Sequence, residues 1–440
     1  MVMRHNAVVE LANDLLIPGH NDERNKLDVI DKWWRWNPEE IILPQYADRE
    51  HKALREVSET PWLSLVVTTL AQQLVAELVR SSQTDDVSAM WVPWQRNRMP
   101  SRQRAIHRAA LGYGYAYATV LPGDRGAVIR GKSPRELYAV YADPVVDEYP
   151  MYFLEKSGGF TYVVDEEARY TLRHDRQGKL EYVTHEIHGV GVAPAIRYSN
   201  QIDLEGRTPG EVEPFIGTAK RINKTDYDRM LVQHFNSWKI RTATNMQRPA
   251  DDAEAERLKL MLRQSDILTG EDGVEFGTLD ETPLDGFIKA HDSDVESLAA
   301  VTQTPAHALT GNMINLSADA ITEARAMLDL KAGERKLGFG DSHCQVLRLA
   351  SHIEGRVADS EDFTLVMQWA DLGSRSMAQA ADALGKMATM LGIPVEMLWD
   401  RIPGVTSEDV KAWQKFKREN PSADELLAAG MFAQANGTDG

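Results

Sequence analysis

The stretch most like a reaction centre is GAVIRGKS, Gly126 to Ser133, which fits the spacing G-x-x-x-x-G-K-[ST] of a phosphate-binding loop. In such a loop backbone N–H groups cradle phosphate, the lysine reaches the terminal phosphates, and the hydroxyl meets a metal ion in the first turn of a helix. Here Pro134 follows Ser133 and biases it toward extended dihedrals, so no helix is expected to open there. The interior AVIR reads as strand, and no helical crossover precedes the next strand, LYAVY. Asp165 and Glu166, after the apolar TYVV, imitate a metal-binding carboxylate and its base. Hairpin-like sequence fills the interval between the two motifs, whereas parallel strands need a crossover of a dozen or more residues. The motif is read as a surface turn, and a P-loop ATPase is kept as the alternative.

The remaining chemical side chains are sparse. HEIH, with His185, Glu186 and His188, lacks the i, i+4 spacing of a zinc-binding helix and lies in strand-like sequence, so solvated or cross-strand histidines are expected. Asn315 in NLS matches a glycosylation acceptor formally, which has no meaning without secretion. Arg96, Arg98, Arg102, Arg104 and Arg108 lie beside aromatics and suit either DNA contact or, as preferred, a solvated helix face that meets carboxylates across a subunit contact. WWRW, from Trp33, reads as packed core before it reads as a stacking platform. No residue is assigned to catalysis, to a cofactor or to a metal.

Composition narrows the classes further. A net charge of −17 and a pI near 5.2 argue against tight phosphate neutralisation, though not against DNA that must slide past. With 43% hydrophobic and 26% charged residues the chain is an ordinary globular one, and 440 residues suit two or three domains or one elongated body. Cys344, the single cysteine, cannot form an internal disulfide, which points to a reducing compartment. The first twenty residues lack the basic and apolar regions of a signal peptide. WLSLVVTTLAQQLVAELVR is broken by Gln72, Gln73 and Glu77 and falls short of a membrane span. One buried helix is expected over it, capped by Thr60 with Pro61 at its first position.

These residues must be held by elements. Residues 7 to 110 read as helices separated by PGHND, WNPEE and WVPWQRNRMPS. From about residue 111 to 200 short β-branched and aromatic runs, broken by PGDRG, SGG and RQGK, predict antiparallel hairpins. Helical signals return over EPFIGTAKRINKTDYDRMLVQHFNSWKI, then a small α/β insert, then helix again. In PLDGFIKAHDSDVESLAAV, Asp285, Lys289, Asp292 and Glu296 share one helical stripe, while Ile288, Val295 and Leu298 share a packing stripe. After a loop containing His307, Thr310, Gly311, Asn312, Met313 and Asn315, Ser317 caps a long helix with Asp319 in its first turn. Gly333, Gly338 and Gly340 each cost that helix about 1 kcal/mol relative to alanine, which implies a kink or a close contact. From about Ser360 the chain reads helical and ends in a polar tail expected to fray.

TPAHALTGNMINLSADAITEARAMLDLKAGERKLGFGDSHCQVLRLA resembles the C-terminal core of tailed-bacteriophage portal proteins, in the branch found among phages of actinobacteria. The matching residues are Pro305, Leu309, Gly311, Asn315, the SADA start, Glu323, Leu328, Lys331, Glu334–Arg335 and Phe339–Gly340. PWLSLVVTTLAQQLVAELVR, and WQRNRMPSRQRAIHRAALGYGYAYATV leading to SPRELYAVYADP, support it, so that it covers most of residues 20 to 350. Where the family often has a Tyr-Tyr pair before a glycine, this chain has Trp33, Trp34 and Arg35.

The resemblance implies an α+β, mainly helical, ring-forming fold. Residues 1–212 would be a wing, helical to about 110 and β-rich over about 111–200; 213–240 and 282–302 two stem helices; and 241–281 an α/β clip between them. Residues 303–317 would be the channel loop, 318–352 the long wing helix, and 353–440 a helical C-terminal wing or crown. It further implies a non-enzymatic homo-oligomer, usually of twelve subunits, at one capsid vertex of the virion, assembled in the host cytoplasm. Double-stranded DNA would pass without sequence specificity, past Asp285, Lys289, Asp292 and Glu296 and the loop residues. Partners would be the terminase large subunit, the head-tail adaptor, and the major capsid and scaffold proteins, with no membrane and no cofactor. The alternatives are a P-loop packaging motor and a minor head scaffold protein that forms no ring.

Overall fold

The computed structural model describes residues 2–35, 41–43, 45, 49–84, 86–176, 178–237, 241–244, 251–253, 275–278, 282–311, 318–370, 377–402, 404–405 and 407–420. Its first part is helical. Helix α1 (His5–Leu11) passes through a π-turn into α2 (Ile17–Arg35), followed by α3 (Arg49–Ser58), α4 (Trp62–Ala71), α5 (Ser88–Arg96) and α6 (Met99–Tyr113). The last of these ends at Gly114, whose left-handed φ of 99° breaks the helix without a Cβ clash.

Two sheets follow, both antiparallel, as the alternating β-rich sequence predicts. Strands β2 (Tyr115–Leu121), β3 (Val128–Lys132) and β9 (Ala195–Ser199) form one, in the order β3-β2-β9. Strands β4 (Leu137–Val140), β5 (Tyr152–Ser157), β6 (Phe160–Val164), β7 (Ala168–His174) and β8 (Leu180–Ile187) form a five-stranded meander. Val8, Ala12 and Leu16 pack on that meander against Leu154, Val163 and Tyr170. The larger core lies between α4, α6, the three-stranded sheet and a long helix from the C-terminal half.

The expected single helix over residues 62–80 is corrected. It stops at Ala71, and residues 76–80 form β1 (Ala76–Arg80), paired antiparallel with β12 (Val366–Trp369). Gln72 and Gln73 end the apolar face, and a partner strand nearly 290 residues away overrides local helix propensity. The same partner corrects the reading of residues beyond Ser360 as wholly helical. Nor does Thr60 cap α4: Pro61 holds that position without a side-chain bond, and the Thr60 N–H donates to Asn223 Oδ1 at 3.2 Å.

Helix α7 (Ile216–Asn236) leads to strand β10 (Arg241–Thr244), which pairs antiparallel with β11 (Glu275–Thr278) before α8 (Asp285–Thr302) returns beside α7. A short α9 (Ala306–Thr310) precedes α10 (Ala318–Ile353), which runs about 50 Å at 1.5 Å per residue. Then come α11 (Val357–Ser360), β12, α12 (Met377–Leu391), a 3-10 turn (Val395–Arg401) and α13 (Ser407–Glu419). The polar tail, 421–440, lies outside the described residues. Among those described, no helix is long and apolar enough to cross a membrane.

Candidate functional site

Helices α7 and α8 form an antiparallel pair with one dry side and one wet side. Val295, Leu298 and Ala299 of α8 are buried with Ala219 and Ile222 of α7, because their spacing places them on one face. Arg221 Nε meets Asp294 at 2.8 Å, and His291 Nε2 lies 3.5 Å from Asp226, so polar contacts flank the apolar seam. About 100° around α8 from that face, Asp285, Lys289, Asp292 and Glu296 are all exposed, at the i, i+4, i+7, i+11 spacing of one stripe. Ile288 departs from its expected packing stripe: it is 46% exposed, since it sits where the pair has left the main core. Asn236 Nδ2 donates to the Thr282 carbonyl at 2.9 Å, and the Thr282 N–H returns to Asn236 Oδ1 at 3.3 Å. That reciprocal clasp closes the helix pair just where the insert leaves it.

At its other end α8 stops on Gln303, whose φ of 55° is left-handed. Thr302 Oγ1 bonds back to the Leu298 carbonyl at 2.7 Å and to Thr304 Oγ1 at 2.9 Å, which ties off the last turn. The following segment is not all loop, as the sequence suggested. Residues 306–310 form α9, anchored by buried Leu309 and ended by Gly311 at a φ of 71°. His307 is half-buried in it, Thr310 and Gly311 are exposed, and Asn312, Met313, Asn315 and Ser317 lie outside the described residues.

Beneath this segment is a buried ionic cluster whose members no spacing in the sequence relates. Lys331 of α10 donates to Glu211 Oε2 at 2.5 Å and to the Thr302 carbonyl at 2.9 Å. Arg335, one turn on, donates to Asn200 Oδ1 at 2.7 Å and to Glu211 Oε1 at 3.3 Å. All five residues are buried, so the charges are paired and hydrogen-bonded as burial demands. The last residue of α8 is thereby fastened to the long helix and to the end of β9. Lys331 and Arg335 belong to the motif that carried the resemblance; their shared partner Glu211 lies 120 residues upstream and carries no local signal.

The remaining candidates are placed as follows. GAVIRGKS forms a turn and strand β3; Lys132 Nζ is paired with Glu155 at 2.6 Å, and Ser133 Oγ accepts from the Arg135 N–H in a turn. Asp165 accepts the Glu167 and Ala168 N–H groups at 2.9 and 2.7 Å and the Tyr170 hydroxyl, which shapes the β6–β7 turn. His185 lies exposed on β8 against Tyr182, and His188 binds the Asp165 carbonyl at 3.0 Å. Trp33 is buried in the main core. Of the arginine run, Arg96 pairs with Glu354, while Arg98, Arg102, Arg104 and Arg108 are exposed. Among the described residues no group of three or more His, Cys, Asp or Glu is arranged to hold a metal ion.

An acidic-faced helix pair, an insert clasped at its base and a short segment bolted to a 36-residue helix describe a mixed helix-and-sheet protein in which geometry and charge do the work. The description "Phage portal protein, SPP1 Gp6-like" matches residues 13–422, and the chain belongs to that family. The family is generally structural, and membership carries a portal role. Two solved structures are similar at 12% identity. One, from the virion of the native gene transfer agent (GTA) particle, has a TM-score of 0.47, with 80% of this chain and 91% of that one covered. The other, from the neck of the native GTA particle computed with C12 symmetry, has a TM-score of 0.48, with 84% and 94% covered. No curated protein matches the chain.

Proposed function

We propose that this chain forms the ring-shaped DNA channel at one vertex of a phage capsid, serving genome packaging and ejection as a non-enzymatic oligomer. In this reading α7 and α8 are the stem, residues 241–281 the clip that docks the terminase motor and then the head-tail adaptor, residues 303–317 the channel loop, and α10 the wing helix. The parts before residue 213 and after 352 are wing and crown, and contacts of the ring with capsid and scaffold proteins start head assembly. Twelve subunits is the number that the resemblance implies. The observation that carries the proposal is the exposed line of Asp285, Asp292 and Glu296, which lies about 100° around α8 from its buried face. Repeated around a ring, those carboxylates meet DNA phosphates with like charge, so the duplex passes without being held.

The test is the triple variant Asp285→Lys, Asp292→Lys, Glu296→Lys. It should still assemble, retain DNA in its channel in a salt-sensitive way, and package more slowly than the parent. Packaging at the parental rate, or a ring with these side chains turned outward, would overturn the channel assignment. Deleting residues 241–281 should abolish motor binding while rings persist; motor binding that survives the deletion removes the clip assignment. The alternative ATPase reading would return only if the chain bound ATP and Lys132→Ala abolished it. Against that reading, Lys132 ends an edge strand of an antiparallel sheet, where it is already paired with Glu155, and no helix opens after it.

A further inference from the structure

Two exposed faces of the described chain are uncovered within it, apart from the ion pair of Glu334 with Arg335 at 2.9 Å on the second, and they have complementary chemistry. The first is a cleft of about 950 Å³ between α6, α2 and β3. Trp34, Ala105 and Ala109 supply its apolar wall, and Arg102, Arg108 and Arg130 line it. All three arginines are exposed, and their side chains make no hydrogen bond or ion pair with the described residues. Glu136 lines the same cleft without an ion pair to any of the three, and three such guanidinium groups together are conspicuous in a chain of net charge −17.

The second face runs along α10. Glu323, Met327, Leu330, Glu334, Leu337 and Asp341 follow the spacing i, i+4, i+7, i+11, i+14, i+18, a single stripe about 27 Å long. Met327 is 52% exposed, Leu330 71% and Leu337 74%. A row of uncovered apolar side chains bounded by carboxylates is the composition of a contact surface. Beside it, Gly333 and Gly338 leave low points on the continuous helix. A methyl group on Gly333 would meet nothing within 4 Å, and one on Gly338 only the Ser199 carbonyl at 3.9 Å. Among the described residues nothing requires either glycine, whereas low ground beside a ridge admits a second backbone.

The two faces point away from each other. His107 of α6 and His343 of α10 touch, Nε2 to Nε2 at 2.8 Å, so the inward sides of the two helices are in contact. At 100° per residue the cleft side of α6 and the stripe on α10 each lie about 160° around from these histidines. One molecule therefore carries a cationic cleft on one side and an acidic, apolar ridge on the other. Surfaces so related make a head-to-tail contact, which closes into a ring when the rotation permits.

We infer that the Glu323–Asp341 ridge of one copy seats in the Arg102/Arg108/Arg130 cleft of the next copy of this chain. This rests on the ring reading above, and the following experiment separates the two. The full-length parent, Arg102→Glu/Arg108→Glu, Glu323→Lys/Asp341→Lys and the chain carrying all four substitutions are compared by sedimentation velocity and circular dichroism. Every altered side chain is exposed, so the spectra should coincide. Each two-substitution variant should need roughly tenfold more protein to assemble, or remain monomeric, and the four-substitution chain should assemble again because its charges are exchanged. If the parent assembles and the two-substitution variants assemble equally well, the docking inference falls and the ring stands. If both variants fail and the four-substitution chain also fails, the two faces do not meet. If the parent itself never forms a ring, both readings fall.

Discussion

His107 and His343 sit fully buried at the junction of α6, α10 and β9, and their partners determine where each proton lies. The Leu74 carbonyl, 3.1 Å from His107 Nδ1, accepts a hydrogen bond from its N–H, so the proton of the neutral ring lies on Nδ1 and His107 Nε2 is an acceptor. His343 Nε2 must then donate to it, and His343 Nδ1 accepts the Tyr198 hydroxyl at 2.8 Å. Trp94, Phe339 and Trp369 surround the pair, and none can stabilise a cation by pairing with it. Burial lowers the His107 pKa to about 4, and burial together with the neighbouring His107 pushes His343 well below its usual value. Below pH 6.5 the unfolded chain takes up protons that the folded chain refuses, so this stabilisation is complete at neutral pH and is lost as pH falls toward 4. For His107 alone the loss by pH 5 is on the order of 2 kcal/mol. Neither ring should titrate in the folded protein between pH 7 and 5 when its proton resonances are followed by NMR. A midpoint near 6.5 for either ring would contradict this arrangement.

At the scale of elements, α10 carries its glycines for reasons that differ along its length. Gly340 lies where a methyl group would come 3.5 Å from Met367 Cβ, so β12 fills its neighbourhood, whereas Gly333 faces open space. Gly333→Ala should therefore stabilise the unassembled chain by about 1 kcal/mol in urea unfolding, through helix propensity alone. A loss of stability would mean that the helix is distorted there. The boundaries of α10, of the α7 and α8 pair and of the hairpin block were legible because each rests on local periodicity or on turn residues such as Gly158–Gly159 and Gly178. Strands β1 and β12 were not legible: each is short, and what makes it a strand is the other, far away in sequence. The acidic stripe could be phased from spacing, but the Glu211–Lys331–Arg335 cluster could not, since no periodicity relates its members. The arginine run was read as a possible subunit contact, yet only the fold shows that Arg102 and Arg108 share a cleft with Arg130 while Arg96 is engaged by Glu354.

Across the whole molecule, the ionic cluster is the place where sheet, helix pair and long helix are joined. Lys331→Met removes the only partner of Glu211 Oε2 among the described residues, leaves Arg335 and Asn200 on Oε1 and releases the end of α8, and it should cost about 3 kcal/mol in denaturant unfolding. Hydrogen exchange should quicken together in the last turn of α8 and around residue 331; exchange that quickens at only one of them would show that the tie does not couple the two elements. The opposite end of the helix pair is built differently. Strands β10 and β11 run side by side from Arg241↔Thr278 to Thr244↔Glu275, and the Asn236–Thr282 clasp stands at their base. Outgoing and returning chain thus use one doorway, with its two jambs about 5 Å apart. Whatever segment is threaded between residues 244 and 275 can be lengthened, shortened or exchanged for a foreign one while the body keeps its shape. On the clip reading proposed above, a lineage confronted with a new docking partner could remodel that segment alone, and this doorway would be the graft point for moving docking specificity from one such protein to another.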